Sequence, residues 1–259
     1  MKDRIIEFLK EDHAFYVKKV LKQYWKQDKY SYRTIPRPDY ALMLITHGKV
    51  KLIAENNTLS AKAGDIVFLP KYANYDAVFE KEVQDYLINF DSSDCEPPIP
   101  FPTVILQNTP LLVSEGFETL IKEKVSGNCS STKYKGLFYL LTDSILNCIY
   151  ENENEIETIV KAEELLKSDC ELRICDIAAE CGISESGLRK KFKNIKGCSP
   201  TEYRLNFKIN KAKYLLEATS LTVSEIADTL GFYDPSYFCK MFKTHTGLSP
   251  MQYAKKKQL

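Results

Sequence analysis

The chain has 259 residues, 44% hydrophobic and 27% charged, ordinary values for a soluble globular protein and long enough for two domains. Its net charge of +1 conceals an asymmetry: residues 156–259 carry 17 Lys and Arg against 13 Asp and Glu, the first 155 carry 19 against 22, and from Ser184 onward the balance is 14 against 6. A mildly acidic first part joined to a basic tail fits a sensor attached to a nucleic-acid binder, although a solvated basic surface without a partner has the same signature.

Met1 to Lys10 alternates charged and apolar residues, without the apolar core of a secretory signal. No stretch approaches the roughly 18 uninterrupted apolar residues of a membrane helix. The expected location is the cytoplasm, on the nucleoid when bound to DNA, with no membrane partner. The eight cysteines are then expected as thiols. None forms a C-x-x-C pair, which argues against structural zinc or thioredoxin-type redox chemistry.

Residues 1–30 read as an amphipathic helix or two, with Ile5, Ile6, Leu9, Val17, Val20 and Leu21 on apolar faces. From Tyr40 the pattern changes to short strands: Ala41–Ile45, Lys49–Ala54, Ile66–Leu69, Ala77–Phe79 and Tyr86–Phe90. Turn signals separate them at His47-Gly48, Asn56-Asn57 and Ala63-Gly64-Asp65. The spacing suggests an antiparallel barrel or sandwich.

The segment Gly64-Asp65-Ile66-Val67-Phe68-Leu69-Pro70 resembles the strand and turn of cupin domains. That resemblance implies a cupin-like antiparallel β-barrel with flanking helices over residues 1–150. Catalytic cupins hold a metal through several histidines and a carboxylate. Here there are only His13, His47 and His245, and Tyr75 stands where the cupin turn often carries a ligand histidine. No metal and no cofactor are therefore expected. A barrel without metal can still hold a small effector in its mouth, with Tyr32, Arg33, Tyr40, Met43 and Tyr75 as candidate lining. Core packing explains these aromatics equally well.

After the stiff run Pro97-Pro98-Ile99-Pro100-Phe101-Pro102, helical spacing returns at Val113, Phe117, Leu120 and Ile121, then at Leu137, Leu140, Leu141, Ile145, Leu146 and Ile149. These helices, within 111–150, carry apolar stripes that can pack on their own barrel. Residues 151–157 are polar enough to be the interdomain linker, leaving 158–259 as a second domain.

The last hundred residues contain a repeat. Ile177-Ala178 recurs as Ile226-Ala227 and Gly182 as Gly231, at an offset of 49. Phe192-Lys193 recurs as Phe242-Lys243, Gly197 as Gly247, Ser199-Pro200 as Ser249-Pro250 and Tyr203 as Tyr253, at an offset of 50. The second copy has thus gained one residue between its glycine and its second helix. Each copy reads as helix, tight turn, helix, over about 172–197 and 221–247. Thr222 and Glu225 have capping-box spacing, Gly231 ends a helix, and Asp234-Pro235 starts the next. The first copy follows the plan with a cap at Ser184 but has Arg173 where Thr222 stands. Ser199-Pro200-Thr201-Glu202 opens a helix joining the two units.

Two helices crossed at a short glycine turn form a helix-turn-helix, whose second helix can lie in the major groove. With Leu188 and Phe192 inward, Ser186, Arg189, Lys190 and Lys193 point outward. With Phe238 and Phe242 inward, so do Ser236, Tyr237, Lys240 and Lys243. Arg189 suits guanine, whose O6 and N7 match its fork, while the lysines suit phosphates.

Gly231-Phe232-Tyr233-Asp234-Pro235-Ser236-Tyr237-Phe238-Cys239-Lys240-Met241-Phe242-Lys243, ending in Gly247-Leu248-Ser249-Pro250-Met251-Gln252-Tyr253, resembles the signature of AraC/XylS-family transcriptional regulators. The resemblance spans roughly Ile159 to Ala254. It implies an α+β protein: a cupin-like sensor followed by an all-α double helix-turn-helix domain entering successive major grooves, ~34 Å apart. It implies double-stranded promoter DNA, RNA polymerase, a small-molecule effector and a second copy of the chain as partners, the last joined through the helices in 111–150, whose stripe could also serve packing on the barrel. Pro235 and Cys239 depart from the pattern, offering little hydrogen bonding where the family often contacts DNA, which shifts the expected reading to the first unit. Two other functions remain open on sequence: a metal-dependent cupin enzyme with an accessory DNA-binding tail, and a thiol or metal sensor using Cys170, Cys175 and Cys181.

Overall fold

The computed structural model describes residues 1–10, 14–26, 29–33, 36–54, 56–80, 82–93, 99–126, 130–168 and 172–257. For 29–33 this covers the backbone alone. The chain forms two compact units, Met1–Glu151 and Asn152–Leu259. No helix among the described residues is long and apolar enough to cross a membrane.

The first unit opens with helix α1 (Lys2–Lys10), followed by strands β1 (Phe15–Trp25), β2 (Lys29–Arg33), β3 (Tyr40–His47), β4 (Lys49–Ala54), β5 (Asn57–Lys62), β6 (Ile66–Leu69), β7 (Asp76–Glu80), β8 (Val83–Ser92) and β9 (Thr103–Leu106). Helix α2 (Leu111–Ser126) and the start of α3 (Ser131–Ser168) complete it. The strands pair antiparallel in two sheets, of order β1-β8-β3-β6-β9 and β2-β7-β4-β5. This corrects the expected barrel. Closure needs a ladder joining the two sheets, and none links them among the described residues, so the sheets stay open and the domain is not a true cupin fold. The Gly64–Leu69 segment makes its turn and strand, with Asp65 Oδ2 accepting from the Lys62 N–H at 2.9 Å. Its strand, however, lies inside the open five-stranded sheet between β3 and β9.

The five-stranded sheet is covered on both faces, which explains the unbroken apolar run in β3. Tyr40, Leu42 and Leu44 join Phe8, Phe68, Phe90, Phe117 and Phe138 in a core beneath the helices. Ala41, Met43 and Ile45 turn the other way, into a core with Val50, Leu52, Ala77 and Phe79 of the smaller sheet. The Pro97–Pro102 run is only partly described, but Ile99 and Phe101 within it are buried, one in each core.

A second correction concerns residues 15–25, read above as helical. They form β1, paired along its length with β8. A bulge between Val17 and Lys19 shifts the register, so Phe15, Val17 and Val20 face the helices while Leu21 and Trp25 face the smaller sheet. One inserted residue turns period-2 alternation into a spacing of three and four, which imitates a helix.

Residues 151–157, read above as a linker, are helical and lie inside α3. Their glutamates are good helix formers, and Ile159, Ala162 and Leu166 further along give the helix an apolar stripe to bury. The second unit contains the end of α3, then α4 (Ile174–Glu180), α5 (Glu185–Lys196), α6 (Pro200–Ala218), α7 (Val223–Thr229), α8 (Pro235–Thr246) and α9 (Pro250–Lys257). It holds two small cores: Ile159, Ala162, Leu166, Ile177, Ala178, Leu188 and Phe192 form one, while Ile209, Ala212, Ile226, Ala227, Phe238 and Phe242 lead the other.

Candidate nucleic-acid interface

Each half of the second unit folds from local signals. Gly182 and Gly231 take φ of 70° and 64°, left-handed values that let the chain leave α4 and α7 sharply. Ser184 then caps α5 by accepting from the Gly187 N–H at 3.1 Å, and Asp234 caps α8 by accepting from the Ser236 N–H at 2.9 Å. Thr222 and Glu225 close a full capping box on α7, as Ser199 and Glu202 do on α6. Arg173 gives α4 no side-chain cap; its guanidinium instead bonds Asp176.

Leu188 and Phe192 anchor α5 in its core, with Phe192 edge-on to Tyr203 at 5.3 Å. Phe238 and Phe242 anchor α8, with Phe242 edge-on to Tyr253 at 5.4 Å. On the opposite faces, Ser186, Arg189, Lys190 and Lys193 of α5 are all exposed, as are Ser236, Tyr237, Lys240 and Lys243 of α8. Three features of this surface escape sequence reasoning. Arg189 is held within its own helix: Nε and Nη2 both donate to Glu185 Oε1, at 2.9 and 2.7 Å. Lys191 turns back to Glu155, and Lys196 to Glu163, so part of the basic cluster serves the fold. Lys208, nearly buried on α6, donates to the Gly231 carbonyl at 2.9 Å and lies over the Phe232 ring, pinning the turn of the second helix-turn-helix.

Glu163 is the centre of the tie between α3, α5 and α6. It accepts from Lys167, from Lys196, and from the Tyr203 hydroxyl at 2.6 Å. The hydrogen bonds from Lys167, Lys196 and Tyr203 hold its pKa down at about 2. Nothing near Glu163 in sequence announces Lys196 or Tyr203, which arrive from other helices.

In the first unit the candidate effector residues separate. The side chains of Tyr32 and Arg33 lie outside the described residues. Tyr40 packs beneath the helices, away from the space between the sheets. Met43 and Tyr75 both line the inter-sheet core. Arg37 reaches the Tyr75 hydroxyl at 3.5 Å and donates to Asn89 Oδ1 at 2.7 Å. Burial pushes the Tyr75 hydroxyl pKa up, opposed by Arg37. Asp85 is also buried and accepts from the Trp25 indole at 2.9 Å. Burial raises its pKa to about 6, against the lowering effect of that hydrogen bond. Arg37, Asp85 and Asn89 were missed by sequence reading, although Asp85 and Asn89 are polar positions flanking Leu87 on one face of β8. An open pocket of about 530 Å³ adjoins Tyr75, lined also by Ile53, Asn56, Asn57, Asn74 and Asp76.

No group of three or more His, Cys, Asp or Glu side chains among the described residues is placed to hold a metal. His47 ends β3 exposed, and His13 lies outside the described residues. Cys170 also lies outside them. Cys175 is exposed, and Cys181 packs beside the first core, where burial raises its thiol pKa.

A family model described as a helix-turn-helix domain matches residues 177–256, and one described as an AraC-like ligand binding domain matches residues 19–96. The chain is 28% identical over 253 residues to the Msm operon regulatory protein of Streptococcus mutans, covering 88% of each. It is 25% identical over 230 residues to the lactose operon transcription activator of Staphylococcus xylosus, covering 82% of each. Among solved structures, the C-terminal domain of the response regulator yesN from Fusobacterium nucleatum matches at 32% identity and a TM-score of 0.36, over 39% of this chain and 98% of that one.

Proposed function

We propose that α5 is the principal hydrogen-bonding reader of this sequence-specific DNA-binding transcriptional regulator, which is similar to the AraC/XylS type, and that Arg189 reads guanine. The observation carrying this reading is the guanidinium geometry. Glu185 occupies the Nε–Nη2 edge, which orients the side chain and leaves the outer edge, Nη1 with the second Nη2 hydrogen, for O6 and N7. Lys190, Lys193, Lys240 and Lys243 neutralise phosphates, and Ser186 and Ser236 contribute short polar contacts.

Selection from random duplex pools tests the reading. Arg189→Ala relaxes preference at one position, whereas Lys193→Ala weakens binding to every sequence and lowers the salt slope. An unchanged selected motif with Arg189→Ala would remove Arg189 from the readers.

The first unit supports effector sensing and pairing of two copies. Tyr75 and Met43, with Arg37 and Asn89 beside Tyr75, are the proposed effector contacts; Tyr40 drops out because its ring is turned to the helix side. The names of the two long relatives support the promoter of an operon as the target, with RNA polymerase met there. Homodimerisation is proposed through α2 and the first half of α3, where Leu111, Leu112, Val125 and Leu140 stand 74%, 71%, 82% and 65% exposed. Sedimentation of Leu140→Glu against the parent chain tests it; equal mass for both at concentrations where the parent dimerises counts against this face.

A further inference from the structure

The residue gained by the second helix-turn-helix has a defined place. Gly182-Ile183-Ser184 leads into α5, and Gly231-Phe232-Tyr233-Asp234 leads into α8. In both units the residue after glycine returns its N–H to the preceding helix, Ile183 to the Ala178 carbonyl at 3.0 Å and Phe232 to the Ala227 carbonyl at 2.9 Å. Both side chains then pack on a core, and the Phe232 ring lies 5.1 Å from Phe238. Ser184 and Asp234 occupy matching cap positions. The extra residue is therefore Tyr233.

Its side chain is fully exposed, at 106% relative accessibility. An apolar residue just before a helix cap ordinarily packs on the fourth helical residue as a hydrophobic staple. Here Phe232 makes that contact with Phe238, so the tyrosine is left over by the fold. Tyr237, in the first turn of α8, is half exposed as well.

The N-terminal end of a recognition helix is the part that meets base edges. Hydrogen-bonding groups are few at this end of α8. Pro235 has no N–H, one oxygen of the Asp234 carboxylate accepts from the Ser236 amide, Cys239 is a weak partner, and Ser236 keeps only a short hydroxyl. What it offers instead is two aromatic rings. On the major-groove edges of the bases, the one apolar group is the thymine 5-methyl.

We propose that Tyr233 and Tyr237 read thymine in the second half-site by packing their rings against 5-methyl groups. The second helix-turn-helix then specifies sequence by apolar contact, where the first does so by hydrogen bonds. This deepens the DNA-reading assignment above and rests on it.

The test uses the full chain and a duplex selected by it, with each thymine of the second half-site replaced in turn by deoxyuridine, which removes only the methyl. The expected result is a loss of roughly fourfold at one or two positions, the worth of burying one methyl-sized apolar group. Tyr233→Ala and Tyr237→Ala should each lower affinity for the thymine duplex by a similar factor and abolish the penalty at one position. The Phe variants should keep it, since the ring remains. Arg189→Ala should weaken binding yet leave the deoxyuridine penalty intact. Less than a twofold effect at every position overturns the proposal, as does a penalty undiminished in both Ala variants. Failure of the underlying DNA-reading assignment looks different, because the parent chain would then select no duplex at all.

Discussion

Replacing Glu185 with Ala tests the local geometry of the first recognition helix most directly. Both partners of the Glu185–Arg189 pair are well exposed, at 41% and 46%, so the pair adds little stability. Loss of the carboxylate from the first turn and of one i,i+4 pair together costs about 1 kcal/mol, which leaves the unit folded. The effect on DNA is larger. A negative charge leaves the interface and a guanidinium becomes able to meet phosphate, equivalent to at least one more neutralised charge. The slope of log K against log salt should steepen by ~0.9, so the loss of affinity between about 50 and 200 mM salt grows by about 3.5-fold. Affinity for random duplex at low salt should rise, while preference at the base read by Arg189 falls. Fluorescence anisotropy with random and selected duplexes over that salt range measures both. Slopes and preferences equal to those of the parent chain on both duplexes would refute the idea that Glu185 orients Arg189.

Other outcomes follow from the same contacts. Glu163 keeps its pKa near 2 in the folded state against 4.5 unperturbed, so its stabilisation is present above about pH 4.5 and is lost as pH falls toward 2. Screening at its 17% exposed side chain reduces the effect to about 1 kcal/mol, readable as a smaller acid-induced drop in melting temperature for Glu163→Gln than for the parent. Asp85 behaves oppositely. Its folded pKa of about 6 stands above 3.8, so the native state takes up a proton first and stability rises as pH falls from 6 to 4. Asp85→Asn should raise stability at pH 7 by about 1–2 kcal/mol and flatten that slope, as seen by chemical denaturation at both pH values. Phe242→Ala should cost about 3–5 kcal/mol and melt the second helix-turn-helix, as seen by amide exchange across α7–α9.

How far the sequence spoke depended on the range of each signal. The second unit was legible because its anchors, caps and glycines act within one or two turns of each other: Leu188 with Phe192, Thr222 with Glu225, Asp234 with Pro235. Lys49–Ala54 and Ile66–Leu69 were legible as strands for the same reason. β1 was misread because its bulge gave it helical spacing. β5 escaped because Ala61 is its one buried residue, leaving no alternation to detect. Whether two sheets close on each other depends on edges far apart in sequence, which a short turn-and-strand likeness does not encode. At the candidate interface, the outward faces were legible from helical spacing. The diversion of Lys191 and Lys196 was not, because Glu155 and Glu163 lie more than thirty residues away.

The missing cap on α4 gives the two helix-turn-helices different local mobility. Thr222 and Glu225 tie down the first turn of α7, whereas no side chain accepts from the first turn of α4. A cap is worth ~1 kcal/mol, so the leading turn of α4 opens about fivefold more often than that of α7. Its amides exchange correspondingly faster in the free protein. The helix-turn-helix that carries Arg189 thus has the looser frame, and contact with DNA has more to order in it. Protection gained on binding DNA should therefore be larger at the start of α4 than at the start of α7, as amide exchange of the free and bound chain would measure.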